Sequence, residues 1–254
     1  MTKGLFLCAT LLLLWALPAR AADTRTQVFV IGADVNAQGE VTQTQPEADT
    51  AKPLAAALDL ALKQWRFEPA RQDGKAVPAH TFIEARLDAI PEDSRNYTLR
   101  ISYVRHGPTW DRRLQPSYPA VAIGLGATGL VAMAGTVRPD GKISLTDARS
   151  VVSGGRGRPS LLKAAATDWF QRHAVSPETV DGHPAAARIR AYIEFRLDDR
   201  NQAKRASPPP HSEKERAALL QVGFRDTGDH TRMETPEISS VLQVRSIDPV
   251  TMQP

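Results

Sequence analysis

An α+β fold built from two tandem small modules, each a short antiparallel sheet packed on one main helix in the order β-β-α-β, is what this 254-residue sequence predicts. Three observations carry the prediction. First, Ile83-Glu84-Ala85-Arg86-Leu87-Asp88 recurs as Ile193-Glu194-Phe195-Arg196-Leu197-Asp198, with one substitution, and repetition at this distance is the mark of a duplicated unit. Second, the same residues precede each copy in the same order. Val35, Gly39 and Val41 correspond to Val137, Gly141 and Ile143, Trp65 to Trp169, and Asp73-Gly74 to Asp181-Gly182. Third, apolar periodicity within each copy switches from that of a strand to that of a helix and back.

The elements follow in chain order. Val28 to Val35 and Leu130 to Val137 read as first strands, leading into the turn segments Asn36-Ala37-Gln38-Gly39 and Arg138-Pro139-Asp140-Gly141. Glycine there supplies the positive φ of a tight hairpin. Short second strands follow near 40–43 and 142–148. Leu54, Leu58, Ala61, Leu62 and Trp65 then form one helical stripe, as do Leu162, Ala165, Ala166 and Trp169. Pro53 and Pro159 stand where a first-turn proline is tolerated. In the last strand of the second copy, Ile189, Ala191, Ile193, Phe195 and Leu197 alternate with Arg190, Tyr192, Glu194 and Arg196, which predicts one face on a helix and one in water.

The resulting division is a secretory leader over 1–21, a first module over 22–93, a connecting strand and loop over 94–116, a second module over 117–199, and a proline-containing linker and largely disordered tail over 200–254. The connector is read as a strand from the alternation of Tyr97, Leu99, Ile101 and Tyr103. In the tail, Pro208-Pro209-Pro210 forms a stiff linker, Glu213 to Val222 a short helix with Ala217, Leu220 and Phe224 as its apolar edge, and Ile238 to Val244 one β-like segment. Low apolar content favours disorder for this stretch. The alternative is a tail strand that occupies an open sheet edge of the same chain.

Met1 to Lys3, the apolar run Gly4 to Leu17 and Ala19-Arg20-Ala21 have the three-part form of a cleaved leader, and the run is shorter than the roughly 20 residues of a membrane span. The alternative keeps the leader as an anchor. Cys8, the single cysteine, lies inside it, so the remaining chain is free of thiols and of cysteine metal sites. Removing Lys3 and Arg20 takes away two of the four net positive charges. That leaves no basic field of the kind that binds nucleic acid.

Tyr118-Pro119-Ala120-Val121-Ala122, then Gly126, Gly129 and the Asp140-Gly141 hairpin, resemble the opening of the C-terminal domain of the TonB energy-transducer family. Trp65-Arg66-Phe67-Glu68-Pro69-Ala70, continuing to Asp73-Gly74, resembles that domain's second signature. Each signature is clean in only one copy. The structural residues the resemblance marks are Trp65, Phe67, Pro69, Gly74, Gly126, Gly129, Gly141, Trp169 and Gly182. What it implies is a periplasmic, non-enzymatic protein without cofactor, which binds a peptide or protein of the envelope, such as an outer-membrane transporter segment, by strand addition at a sheet edge. Carried over by position, the edges are Arg188 to Leu197 and Thr81 to Leu87, and the candidate partner-binding residues are Arg190, Tyr192, Glu194, Arg196, Tyr118 and Pro119. The alternatives are a membrane-anchored energy transducer and an envelope enzyme with an unrecognised site.

Signals for chemistry are weak. Gly124-x-Gly126-x-x-Gly129 matches a dinucleotide pattern, but the resemblance makes the segment before it, Tyr118 to Ile123, a short helix and the segment after it reads as a strand, the reverse of what that motif requires. The six histidines show no metal-ligand spacing, and no Gly-x-Ser-x-Gly elbow is present.

Overall fold

The computed structural model describes residues 23–93, 96–110, 116–197, 211–225 and 236–253. The expected leader, the loop at 111–115 and the triproline linker lie outside them. The first unit comprises β1 (Arg25–Val35), β2 (Val41–Gln45), α1 (Lys52–Leu62), β3 (Arg66–Glu68), β4 (Ala70–Gln72), β5 (Lys75–Val77), β6 (Ala79–Pro91) and β7 (Tyr97–Gly107). Its long strands pair antiparallel in the order β2-β1-β6-β7. The second unit comprises β8 (Thr109–Trp110), α2 (Ala120–Gly124), β9 (Thr128–Val137), β10 (Ile143–Gly154), α3 (Pro159–Arg172), β11 (Val175–Ser176), β12 (Thr179–Val180), β13 (His183–Pro184) and β14 (Ala187–Phe195), with a sheet ordered β10-β9-β14. Thus the fold is α+β with antiparallel sheets.

Alternation on the strands and the helical stripe meet as the periodicity requires. Ile31, Ala33 and Val35 of β1 and Ile83, Ala85 and Leu87 of β6 share a core with Ala57, Leu58, Ala61 and Leu62 of α1. In the second unit, Ile189, Ala191, Ile193 and Phe195 pack with Leu162, Ala166 and Phe170 of α3. Full burial of each of the larger side chains contributes about 1.5–3 kcal/mol. Trp65 is buried in the first core. Trp169, read as its counterpart, is only half-buried, and Phe170 takes the central place. The reason is phase: Leu162, Ala166 and Phe170 continue an i, i+4, i+8 line that Trp169 flanks.

The turn glycines repeat one another's geometry. Gly39 has φ +83° and Gly141 φ +78°. The Phe67 N–H donates to Gly39 O at 2.8 Å, and the Val175 N–H to Gly141 O at 3.0 Å. Each hairpin is thereby tied to the segment that follows its helix. A Cβ on Gly39 would stand 1.8 Å from Phe67 O, and one on Gly141 2.4 Å from Val175 O. Gly74, at φ +77°, has open space around it. Gly39→Ala is therefore expected to destabilise by about 2–4 kcal/mol, against about 1 kcal/mol for Gly74→Ala, since only the first adds a backbone collision to the left-handed strain. Urea denaturation of the two variants checks the ranking.

The units are less separate than the repeat suggests. The connector β7 is a full member of the first sheet, running beside β6 from Phe82–Gly107 to Pro91–Tyr97. From the second unit, the β12–β13 hairpin reaches across and pairs with Ala79 and His80 of β6. Thr81 to Leu87, expected to be an edge, is consequently interior: β1 lies on one side and β7 on the other for most of its length. Asp73-Gly74 and Asp181-Gly182, with positive φ at both positions of each pair, close the β4–β5 and β12–β13 hairpins.

The tail, expected to be largely disordered, is ordered over its described residues. It contains α4 (Glu213–Gln221), β15 (Glu237–Ile238), β16 (Gln243–Ser246) and β17 (Val250–Met252). It builds no core of its own, as its composition implied, but completes those of the two modules. A capping box between Ser212 and Glu215 starts α4. Val222 and Phe224 then pack with Leu130 and Ala132 of β9 and Ala218 is buried, while Ala217 and Leu220 of the expected apolar edge face solvent. The outer face of this sheet is therefore covered, not wet. The signal was legible in Leu130-Val131-Ala132-Met133, all fully buried, since a run without alternation belongs to a strand covered on both faces. The expected single segment Ile238 to Val244 is divided between two strands on two partners, β15 on β14 and β16 on β3, and beyond it β17 adds to β7.

Candidate strand-addition edge

Family resemblance placed function at a sheet edge, and backbone geometry determines which edges can take a strand. In the first sheet, β7 covers β6 and β17 pairs with Leu99 to Ile101 of β7. In the second, β10 pairs only with β9 among the described strands, but its register shifts twice, between Leu145 and Asp147 and between Val152 and Gly154. Such bulges blunt an edge against further pairing. By contrast β14 runs in unbroken register against β9 from Ala187 to Phe195.

The outer side of β14 demonstrably accepts a strand. Ser239 N–H donates to Arg188 O and Arg188 N–H to Ser239 Oγ, each at 2.9 Å. Ile238 stands opposite Ile189 and Glu237 opposite Arg190, antiparallel. In an antiparallel ladder the N–H and C=O of one residue point to the same side and alternate along the strand. Because Arg188 points to the tail, Arg190, Tyr192 and Glu194 present their backbones to that same outer edge.

Their side chains do something else. Arg190 lies 3.4 Å from Glu237. The Tyr192 ring meets Phe224 edge-on at 5.8 Å and His211 at 5.5 Å. Glu194 accepts from Arg196 Nε at 2.6 Å and lies 2.5 Å from His211 Nε2. Burial pushes the Glu194 carboxyl up, but the hydrogen bonds from Arg196 and His211 outweigh it and hold it below its ordinary value. Three of the four expected contact residues are thus gathered on β14 with side chains turned to the tail, and Arg196, just past the strand's end, bonds Glu194. Tyr118 and Pro119 are brought to the end of β14 on its other face. Tyr118 packs edge-on against Phe195 at 5.2 Å and donates to Ala127 O, while Pro119 is the N-cap of α2. Beside them a cavity of about 270 Å³ opens between Thr128, Ser153, Arg196 and Leu197.

Of the expected structural residues, Trp65 and Phe67 are buried, and Pro69 joins β3 to β4. Gly129 is required by close approach, since a Cβ there would stand 2.0 Å from Val151 O. Gly126, at φ +64°, turns α2 into β9, so the Gly124-x-Gly126-x-x-Gly129 segment leads from a helix into a strand and lacks the geometry of a dinucleotide loop. Gly182 makes its turn with open space around it. Among the described residues no group of three or more His, Cys, Asp or Glu side chains is placed to hold a metal ion.

Two polar groups that sequence reasoning did not single out hold the tail. Glu178 is buried and accepts from Thr81 Oγ1 at 2.6 Å, Ser240 Oγ at 2.7 Å and Val241 N–H at 2.7 Å. Burial pushes its carboxyl up, against those donors and nearby His80. His106 lies 3.2 Å through Nε2 from Leu242 O, which can only accept, so Nε2 carries the proton and Nδ1 accepts from the Tyr103 hydroxyl at 2.6 Å. Burial holds the imidazole below its ordinary value, with Arg105 acting in the same direction and the Leu242 carbonyl against it. A histidine depressed in the folded state is charged more readily when unfolded. Its contribution is therefore complete above about 6.5, the ordinary imidazole value, and is lost as pH falls below it. The stability difference between the wild type and His106→Gln is expected to shrink below pH 6.5, which chemical denaturation across pH 5–8 measures.

The family model described as Gram-negative bacterial TonB protein C-terminal matches residues 114–197, the segment that holds α2, β9, β10, α3 and β14. No curated protein and no solved structure matches the chain. No helix among the described residues is long and apolar enough to cross a membrane.

Proposed function

We propose that residues 114–197, which match the TonB C-terminal family model, form a periplasmic protein-interaction domain that takes an extended segment of an envelope protein, such as an outer-membrane transporter, by strand addition at the outer edge of β14. The observation that carries this reading is the one strand already there: β14 receives β15 antiparallel, with an apolar pair, Ile189 and Ile238, beside a charged pair, Arg190 and Glu237. Main-chain bonds would supply affinity, and alternate side chains selectivity. The first unit, with β6 interior to its sheet and β7 covered by β17, is the scaffold on which the tail is seated; its matching turn geometry supports reading it as a second, divergent copy of the same module. The leader over 1–21 delivers the chain to the periplasm and is removed.

The test is site-specific photo-crosslinking in intact Gram-negative cells. A crosslinking residue at exposed position 188 on β14 is expected to capture an outer-membrane transporter, whereas one at exposed position 149 on β10 is not. Equal capture from both positions, or none from either, overturns the reading.

A further inference from the structure

We propose that the chain's own tail competes with the partner for the β14 edge, and that the Glu178 carboxylate is the clasp that keeps it seated; this rests on the reading of β14 as the partner-binding edge. The tail is held unequally along its length. Beyond Ser240 it is anchored on the first unit: Leu242 is buried, β16 and β17 pair with β3 and β7, and Asp248 O accepts from Trp65 Nε1 at 3.0 Å. Before Ser240 α4 is seated on β9 through Val222 and Phe224, but over 236–239, between the two seats, the tail holds the second unit by the two residues of β15, the paired Ser239 and the part-exposed Arg190–Glu237 contact, a class of ion pair that adds little. A short, weakly held strand is thus tethered to a firm anchor, so its competition with any incoming strand is intramolecular.

Glu178 sits at the junction of these two regions. One carboxylate oxygen takes Thr81 of the first unit and Ser240 of the tail, and the other takes the Val241 N–H. Glu178 O also accepts from Ala185 N–H at 2.8 Å, which ties the clasp to the β12–β13 hairpin of the second unit. At Gly107 a Cβ would come within 3.3 Å of the Ser240 Cβ, so the first unit leaves room for the tail at this point. In Glu178→Gln neither orientation of the amide keeps the charged acceptor: with its nitrogen toward the Val241 N–H donor faces donor, and with its nitrogen toward the hydroxyls the bond from Val241 N–H becomes a weaker, neutral one. The substitution thereby loosens the tail backbone while preserving volume.

The experiment uses the isotope-labelled full chain and, as probe, a synthetic peptide of its own sequence from Glu234 to Leu242. Amide shifts along β14 report binding, and hydrogen exchange at 237–241 reports tail release. Glu178→Gln and Ser240→Ala are expected to raise that exchange about tenfold or more, the scale of one lost charge-assisted hydrogen bond, and to tighten peptide binding in parallel. Glu237→Pro removes an N–H that faces β14 without touching the clasp, so it opens the edge independently. Peptide bound more tightly by Glu237→Pro but not by Glu178→Gln overturns the clasp and leaves the edge reading intact. Peptide bound by no variant, Glu237→Pro included, overturns the edge reading, and unchanged exchange at 237–241 in Glu178→Gln overturns the clasp whatever the peptide does.

Discussion

Trp65→Ala is expected to lower the free energy of unfolding by about 4–5 kcal/mol, the top of the range for deleting a large buried aromatic. Trp65 is 1% exposed and shares the first core with Leu58, Leu62 and Phe67, so its truncation leaves a buried cavity. Two directional contacts go with it: the edge of Tyr103 at 5.8 Å and the bond from Nε1 to Asp248 O. The second contact makes the result informative beyond core packing. Trp65→Phe keeps most of the apolar volume but removes the donor, so it is expected to cost about 1–2 kcal/mol and to increase proteolysis or hydrogen exchange selectively at 243–252. Denaturant unfolding of the pair, with exchange mapped along the tail, separates the core role from the tail role. Equal exchange at 243–252 in the wild type and Trp65→Phe would show that the tail does not depend on this bond.

Phe170→Ala is expected to cost about 3–5 kcal/mol, whereas Trp169→Ala costs about 1–2 kcal/mol, although tryptophan is the larger residue. Phe170 is fully buried among the strands of the second sheet. Trp169 is half-buried and lies over Trp110 and His173, with ring centroids 5.4 Å and 4.6 Å away. Loss of an exposed-side aromatic forfeits part of the contact area but leaves no sealed cavity. The reverse order in urea denaturation would mean that the α3 stripe follows the Trp65–Trp169 correspondence of the sequence repeat. Position in a repeat, then, does not transfer burial from one copy to the other.

The candidate site divides along similar lines. Arg190, Tyr192, Glu194 and Arg196 were legible as one strand face by alternation, and the structure places the first three on β14 and Arg196 just past its end. What alternation could not convey is that their side chains meet α4 and the tail while their backbones face the edge. That distinction comes from Arg188, whose N–H and C=O both bond to Ser239. Glu178 and Ser240 carry no periodic signal, because a buried carboxylate with three donors is defined by segments 97 and 62 residues away from it.

By itself the sequence determined the elements whose cause is local. The strand and helix periods, the glycines at Gly39 and Gly141, and the Asp-Gly turns follow from side-chain spacing and allowed φ, and each stands where those rules put it. Only the tertiary structure decided which edges are filled and what lies over the outer face of the second sheet. Strand addition at β7, β3 and β14 uses main-chain groups that every residue possesses, so no side-chain pattern announces it. A tail too poor in apolar residues to fold alone becomes ordered because two preformed sheets supply the other half of its core and hydrogen bonds.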